Sequence, residues 1–392
     1  MPHNHPEVYL LDGLRTPFGK YRGALASLST VDLGSTAIRA LLARNEWGSN
    51  PSASLFGVVV QAGLGQNPAR IAATAGGVSL SSPALTLNSV CLASLEAVCD
   101  ATRRIRSSEG THYLVGGFDS MSRAPRILPL PDGELEGDGN PYSALMSDGL
   151  SCALSGGSMG EISDRCNQQL NISREAQDLW ASMSHTRAAA ATAVLQRDEI
   201  FPVLTAAGTV CADQGIRTNS TLEGLAQLRP AFTREGTITA GNASQLADGA
   251  SVGLVVDAVM ADRSGRTPLA RIVDWGWIAG PDASLHTKPA DAIEKVLSQQ
   301  GLKASDIDLF EINEAFAGVA IASSVQLGVP PDVVNVNGGA IALGHPLGAT
   351  GFRLLLTLAH EMRRRRVKRG IASLCGGGGQ GLAVLIENPL VG

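Results

Sequence analysis

Short apolar runs bounded by turn residues alternate with stretches whose apolar positions recur at helical spacing, and they do so at both ends of the chain. Glu7 to Leu11 reads as a strand. Thr30 to Arg44 carries a helical pattern behind a cap at Ser29 or Thr30, and Leu55 to Val60 reads as the next strand. Ala84 to Val90 is strand-like and runs into a helical stretch, Ala93 to Ile105, after which Tyr113 to Gly116 is strand again. The alternation resumes with strands at Ala250 to Asp257, Leu269 to Trp275 and Leu309 to Ile312, and helices at Ala290 to Gln299 and Gly351 to Arg366. Such alternation can bury its apolar faces only as a layered α/β fold.

Between these regions the texture changes to a Pro/Gly/Asp-rich stretch, Pro125 to Asn140, followed by long helical segments such as Arg174 to Leu195. The expected division is an N-terminal α/β half (1–120 with 249–268), an inserted loop domain (121–248) and a C-terminal α/β half (269–392). Letter-for-letter repetition between the halves is weak, so duplication rests on the order of elements alone. No long Gly/Ser linker sets the insertion loose, so it is expected to pack on both halves.

The 31 basic and 36 acidic residues are evenly spread, which speaks against a nucleic-acid surface. The one basic run, Arg363 to Arg366 with Lys368 and Arg369, fits a solvated helix end. Cysteines 91, 99, 152, 166, 211 and 375 form no CxxC pair and no zinc-spaced cluster with histidine, so neither a disulfide scaffold nor a metal is expected. No apolar run approaches the roughly 20 residues of a membrane span, and the first residues lack a secretory pattern. A cytoplasmic enzyme without membrane partners is the expectation.

Four segments bear chemistry. Asn88-Ser89-Val90-Cys91-Leu92-Ala93-Ser94 places a thiol where a strand enters a helix, and the helix dipole is expected to lower its pKa. Read alone, this is also compatible with an inert core cysteine. Gly338-Gly339-Ala340-Ile341-Ala342-Leu343-Gly344-His345-Pro346-Leu347-Gly348-Ala349-Thr350-Gly351 surrounds one imidazole with tight turns, suiting a general base, an oxyanion donor or a structural histidine. Cys375-Gly376-Gly377-Gly378-Gly379-Gln380-Gly381 exposes backbone N–H groups to an anion, but lacks the Gly-Lys-Ser/Thr ending of a P-loop and the downstream acid of a dinucleotide site. Asn313-Glu314-Ala315-Phe316-Ala317 follows a strand end, where open α/β sheets hold ligands, though it would also serve as a helix cap.

Together these segments resemble the thiolases, in which they occur in this order. Arg15-Thr16-Pro17-Phe18-Gly19, Gln61 to Arg70, Gly116 to Ser122 and Thr239 to Ser244 extend the resemblance over almost the whole chain. The resemblance implies an αβαβα fold of two similar halves with an inserted loop domain. It also implies reversible condensation of acyl-CoA with acetyl-CoA, or thiolysis of 3-ketoacyl-CoA, in fatty acid metabolism including β-oxidation. Cys91 would carry the acyl group, His345 would assist its deprotonation and Cys375 would move the α-proton. His345 with a water on Asn313 would form one oxyanion hole, and the N–H groups of Cys91 and Gly377 the other. Arg217, Ser244, Leu150, Met159, Phe232, Ala240 and Phe316 would hold CoA, which is a substrate, so no cofactor is implied. A homodimer or homotetramer is implied, with Pro125 to Asn140 a contact between subunits.

The chain departs from the family at Ala93 and Ser94, where Ser and Gly are usual. It departs again at Ser158-Met159-Gly160, where short-chain enzymes have His-Met-Gly, and at Leu285-His286-Thr287-Lys288-Pro289, where Met-Gly-Thr-Gly-Pro is common. The most direct expectation is an acetyl-CoA C-acetyltransferase; a medium- or long-chain or branched 3-ketoacyl-CoA thiolase and a catalytically impaired CoA-binding homologue are the alternatives. A decarboxylating ketoacyl synthase would need no second cysteine at 375.

Overall fold

The computed structural model describes residues 5–128 and 141–391. Among these, ten strands form one mixed sheet: β1 Val8–Arg15, β2 Gly19–Lys20, β3 Ala53–Gly57, β4 Ala84–Leu87, β5 His112–Ser120, β6 Ala247–Asp257, β7 Ala270–Ala279, β8 Leu309–Ile312, β9 Arg369–Gly376 and β10 Gln380–Glu387. Their order is β8-β9-β10-β7-β1-β6-β5-β3-β4, with β2 added to β6. The sheet is two half-sheets joined where β1 meets β7 in a short antiparallel pairing, Val8 opposite Ile272 and Leu10 opposite Ala270. In each half, a parallel pair (β3 with β5, β8 with β9) lies beside an antiparallel neighbour (β6, β10). The two halves are therefore alike in strand order and direction, although their sequences barely repeat.

Helices complete the layers. α1 (Thr30–Leu42) and α2 (Pro68–Ala75) cover the outer face of the first half-sheet, where Leu33, Ile38 and Ala72 pack on Phe118 and Leu254. α1 starts where Ser29 and Asp32 exchange capping hydrogen bonds. α3 (Ala93–Arg106), the inserted α4 (Met159–Gln169) and α5 (Arg174–Asp198), α6 (Lys288–Gln300), α7 (Ala317–Leu327), the short α8 (Ala340–Leu343) and α9 (Leu347–Arg365) follow. α6 and α7 cover the second half-sheet, with Ile293, Val296 and Ala320 against Phe310 and Ile371. α3 and α9 lie between the half-sheets, where Leu95, Val98, Phe352 and Leu355 meet Leu55 and Val115 from one side and Leu374 and Val384 from the other.

This middle layer is close-packed at backbone level. A Cβ on Gly351 would stand 2.7 Å from the Leu95 nitrogen and 2.8 Å from the Leu95 Cβ, so only glycine lets α9 cross α3 here. At the same end a Cβ on Gly117 would collide with the Gly348 carbonyl oxygen and lie 2.6 Å from that of Gly57. Strands β3 and β5 thus touch the start of α9 directly.

The inserted segment is bound to both halves through buried polar groups. Arg15 at the end of β1 is fully buried between Glu199 (2.6 Å) and Asp213 (2.6 and 2.9 Å), while Glu199 also accepts from the Thr357 hydroxyl of α9 at 2.9 Å. On the other side Trp180 and Ser184 of α5 donate to the Glu314 carboxylate at 3.0 and 2.7 Å. Of the stretch expected to contact another subunit, Arg126–Ile127 pairs with Tyr142–Ser143 in a small ribbon, and 129–140 lies outside the described residues.

Several element boundaries differ from the sequence pattern, β1 and β5 each running four residues further, to Arg15 and Ser120, and two of the differences have a local cause. β4 ends at Leu87 rather than running to residue 90, because Val90 turns into the left-handed region. α9 starts at Leu347, earlier than the apolar periodicity indicated, because the glycines before Phe352 lie inside the helix. Gly117→Ala is expected to lower unfolding free energy by about 3 kcal/mol or more, since the obstruction is backbone that cannot rotate aside. Denaturant unfolding followed by circular dichroism measures this; an unchanged midpoint would show that the layers can separate.

Candidate active site

The residue before the nucleophile candidate is held in an unfavourable conformation. Val90 has φ 54°, a costly value for a β-branched residue. The turn is held by Asn88, whose Oδ1 accepts the Val90 N–H at 3.0 Å while its Nδ2 donates to the Val59 carbonyl at 3.2 Å. Cys91 then stands just ahead of α3. Burial pushes its thiol up to about 12; its own N–H opposes this, the Asp119 carboxylate adds to it, and the Gly377 N–H opposes it again. The expected depression by the helix dipole is therefore reversed, because loss of solvent outweighs the N–H groups. Cys91 rests as a neutral thiol and requires a base.

His345 comes from the opposite half. Gly344, at φ 106°, turns the chain between α8 and α9, and the His345 N–H donates to the Gln245 carbonyl at 2.9 Å. Its Nδ1 lies 2.7 Å from the Thr350 hydroxyl, which itself donates to the Pro346 carbonyl at 2.9 Å. With its single proton committed, that hydroxyl accepts from Nδ1–H, so Nε2 carries the lone pair. The Asn313 amide, just past β8, lies 3.5 Å from Nε2, and its Oδ1 is buried without a protein partner. Burial lowers the imidazole pKa to about 3, helped by the Arg353 charge, so the ring is neutral and free to accept a proton at Nε2.

Cys375 is buried at the end of β9, opposite Gly381 of β10. Burial, and then the neighbouring Cys91, push its thiol above the ordinary range. The loop beyond turns on Gly378 (φ 80°) and Gly379 (φ 73°), and the Gly379 carbonyl accepts from Gly280 at 2.9 Å. Cys91, His345, Cys375 and Gly377 line one cavity of about 50 Å³, closed by apolar side chains including Val90, Leu285 and Leu347.

A groove of about 540 Å³ adjoins it and shares Leu150, Met159, Ser244 and Phe316 as a common wall. Arg217, Phe232 and Ala240 line the groove as well, so all seven positions expected to hold CoA fall along one channel. Phe232 packs edge-on against Phe316 at 5.9 Å. His185 accepts the Arg217 backbone N–H at 3.1 Å, tying that arm to α5.

Comparison with known proteins shows the family of the chain. The family model "Thiolase, N-terminal domain" matches residues 8–258 and "Thiolase, C-terminal domain" matches 266–388. The chain belongs to the thiolase family. This thiolase is 43% identical over 386 residues to a probable acetyl-CoA acetyltransferase of Mycolicibacterium smegmatis, covering 96% of this chain and 100% of that protein. It is 42% identical over 393 residues to the acetyl-CoA acetyltransferase of Chromobacterium violaceum (98% and 100% covered). It is also 42% identical over 386 residues to that of Escherichia coli (96% and 98%). It is thus an acyltransferase by family.

The departures from the family pattern have structural uses in this thiolase. Ser94 does not line the cavity, and its hydroxyl accepts the Phe352 N–H at 2.9 Å, joining α3 to α9. Ser158 lines the groove, but its hydroxyl caps α4 in a reciprocal pair with Glu161. His286 is buried with Nε2 2.8 Å from Asn167, and the Lys288 ammonium donates to the Gly280 carbonyl at 2.8 Å.

The sequence reading missed Lys20, Tyr21 and Met146, which also line the groove. The only signal for Lys20 and Tyr21 was their place as a basic–aromatic pair directly after Arg15-Thr16-Pro17-Phe18-Gly19. It missed Thr350 as well, whose clue was its place one turn after His345. Thr350→Val is expected to slow turnover about 100-fold by freeing the imidazole tautomer, whereas Thr350→Ser retains most activity. Steady-state kinetics of both variants test this, and full activity in the valine variant would refute the assigned tautomer.

Proposed function

We propose that this thiolase is an acetyl-CoA C-acetyltransferase that condenses two acetyl-CoA molecules reversibly to acetoacetyl-CoA and CoA. The observation carrying the proposal is the cavity of about 50 Å³ shared by both cysteines and the histidine, a size that suits an acetyl group. The names of the relatives point the same way.

In the first half-reaction the Cys91 proton passes to His345 Nε2 and the sulfur attacks the thioester carbonyl. The Cys91 and Gly377 N–H groups face the developing oxyanion. For Cys375 to serve as base it must first lose its proton, and the departing CoA thiolate is the acceptor at hand. CoA leaves as thiol, leaving acetyl-Cys91, protonated His345 and the Cys375 thiolate. A thiolate raised by burial is a strong base, matched to a weakly acidic thioester α-proton.

In the second half-reaction Cys375 takes that proton from the incoming acetyl-CoA. His345 Nε2–H, with a water on Asn313, stabilises the enolate oxygen. The enolate carbon attacks the acyl carbon, and Cys91 leaves and recovers its proton from His345. CoA is a substrate throughout, and the kinetics are ping-pong.

The assembly is proposed as a homodimer or homotetramer, supported by edge strand β4, whose Leu85 is 38% exposed. Cys91→Ala is expected to abolish turnover while CoA still binds, and Cys375→Ala to become acetylated without condensing; intact-mass measurement separates the two. In the thiolysis assay acetoacetyl-CoA should be turned over at least about tenfold faster than a 3-keto-octanoyl thioester. Preference for the longer thioester would overturn the acetyl assignment.

A further inference from the structure

We infer that Asp119 is a positioning residue for acyl transfer: with Asn88 it forms a hydrogen-bonded clamp that holds the start of α9, and with it His345, in register with the Cys91 turn. The clamp spans the two halves, which contribute the two groups that must exchange a proton.

Helix α9 begins at Pro346-Leu347-Gly348, and no side chain of its own caps it. Its first turn therefore needs an acceptor from elsewhere. Asp119, 1% exposed near the end of β5, supplies it: Oδ2 accepts the Gly348 N–H at 2.6 Å. Burial pushes the Asp119 carboxyl up to about 7, and the N–H groups of Gly348, Val60 and Val59 oppose that rise. A Cβ on Gly348 would stand 2.8 Å from Asp119 Oδ2 and 2.7 Å from the Gly57 carbonyl, so glycine is what allows the approach.

The same carboxylate reaches the other half of the site. Oδ2 accepts the Val59 N–H and Oδ1 the Val60 N–H, each at 3.3 Å. The Val59 carbonyl accepts from Asn88 Nδ2, and Asn88 Oδ1 accepts the N–H of Val90, the left-handed residue directly before Cys91. An unbroken relay thus runs from the helix that follows His345 through Asp119, Val59 and Asn88 to the nucleophile turn. Asp119, Val59 and Asn88 line neither the cavity nor the groove. The relay's effect as a clamp is on the Cys91–His345 separation, distinct from the Asp119 charge that raises the Cys91 thiol, and displacement of reacting groups by about 1 Å costs on the order of 100-fold in rate.

The inference rests on the acyl-transfer reading. The test is a single-turnover acetylation of Cys91 by acetyl-CoA, followed by intact mass, in the wild type, Asp119→Asn, Asn88→Ala and the double variant, alongside KM for CoA in thiolysis. Each single variant is expected to acetylate about 10- to 100-fold more slowly, with KM for CoA within about threefold of wild type. The double variant should fall no more than about threefold below the slower single one, because both changes break the same relay. Wild-type rates in Asn88→Ala, or losses that multiply in the double variant, would overturn the clamp. Should Asp119→Asn fail to fold, Asn88→Ala alone decides. A wild-type protein that never acetylates Cys91 would instead refute the underlying reaction, so the two failures are distinguishable.

Discussion

Helix α9 crosses α3 with Gly351 against Leu95 and meets strand β5 with the Gly348 carbonyl against Gly117, and the rest of the molecule is arranged around these contacts. They bring two half-sheets onto opposite sides of one helical layer, so that Leu55 and Val384, far apart in sequence, share a core. They also set the start of α3 beside the start of α9. Cys91 precedes one helix and His345 the other, so a packing requirement of the core becomes the geometry of the cavity. A larger residue at either glycine would have to push the halves apart before it affected any reacting group.

Burial decides the resting state of the site. Both thiols are raised and the imidazole is lowered, so the described site is uncharged at its centre before substrate arrives. Separating charge between Cys91 and His345 then becomes favourable only as the thioester oxygen takes up negative charge in front of the backbone N–H groups. Such an arrangement concentrates stabilisation on the transition state rather than on the free enzyme. Elsewhere in the interior Arg15 is enclosed by the carboxylates of Glu199 and Asp213, whereas Arg353 meets Glu311 at 3.1 Å and burial pushes that carboxyl up to about 8.

The residues most easily read from the sequence were those packed into short motifs, of which the ones around His345 and Cys375 are dense in glycine. Cys91, Asn313, His345, Cys375 and Gly377 each lie in such a motif, and the structure gathers Cys91, His345, Cys375 and Gly377 in one cavity with Asn313 against His345. Strand and helix alternation was legible to within a few residues wherever the apolar period was clean. It failed at Val90, where a positive φ has no signature in a β-branched residue, and at the start of α9, where glycines hide a helix. Lys20 and Tyr21 escaped because only the folding of β2 onto β6 carries them to the groove. The effect of Ser94 was also illegible, since the direction of its hydroxyl depends on α9, some 250 residues away in the chain.

The sequence by itself determined the layered α/β class, the four chemical motifs and the family they spell, because strand period, helix period and turn chemistry are local properties of the chain. Only the tertiary structure decided the ionisation of those motifs. A helix dipole read along the chain predicted an acidic Cys91, whereas the loss of solvent between the two halves makes it a weak acid that depends on His345. Desolvation is a property of what surrounds a group from every direction, and most of what surrounds Cys91 comes from parts of the chain far from it in sequence.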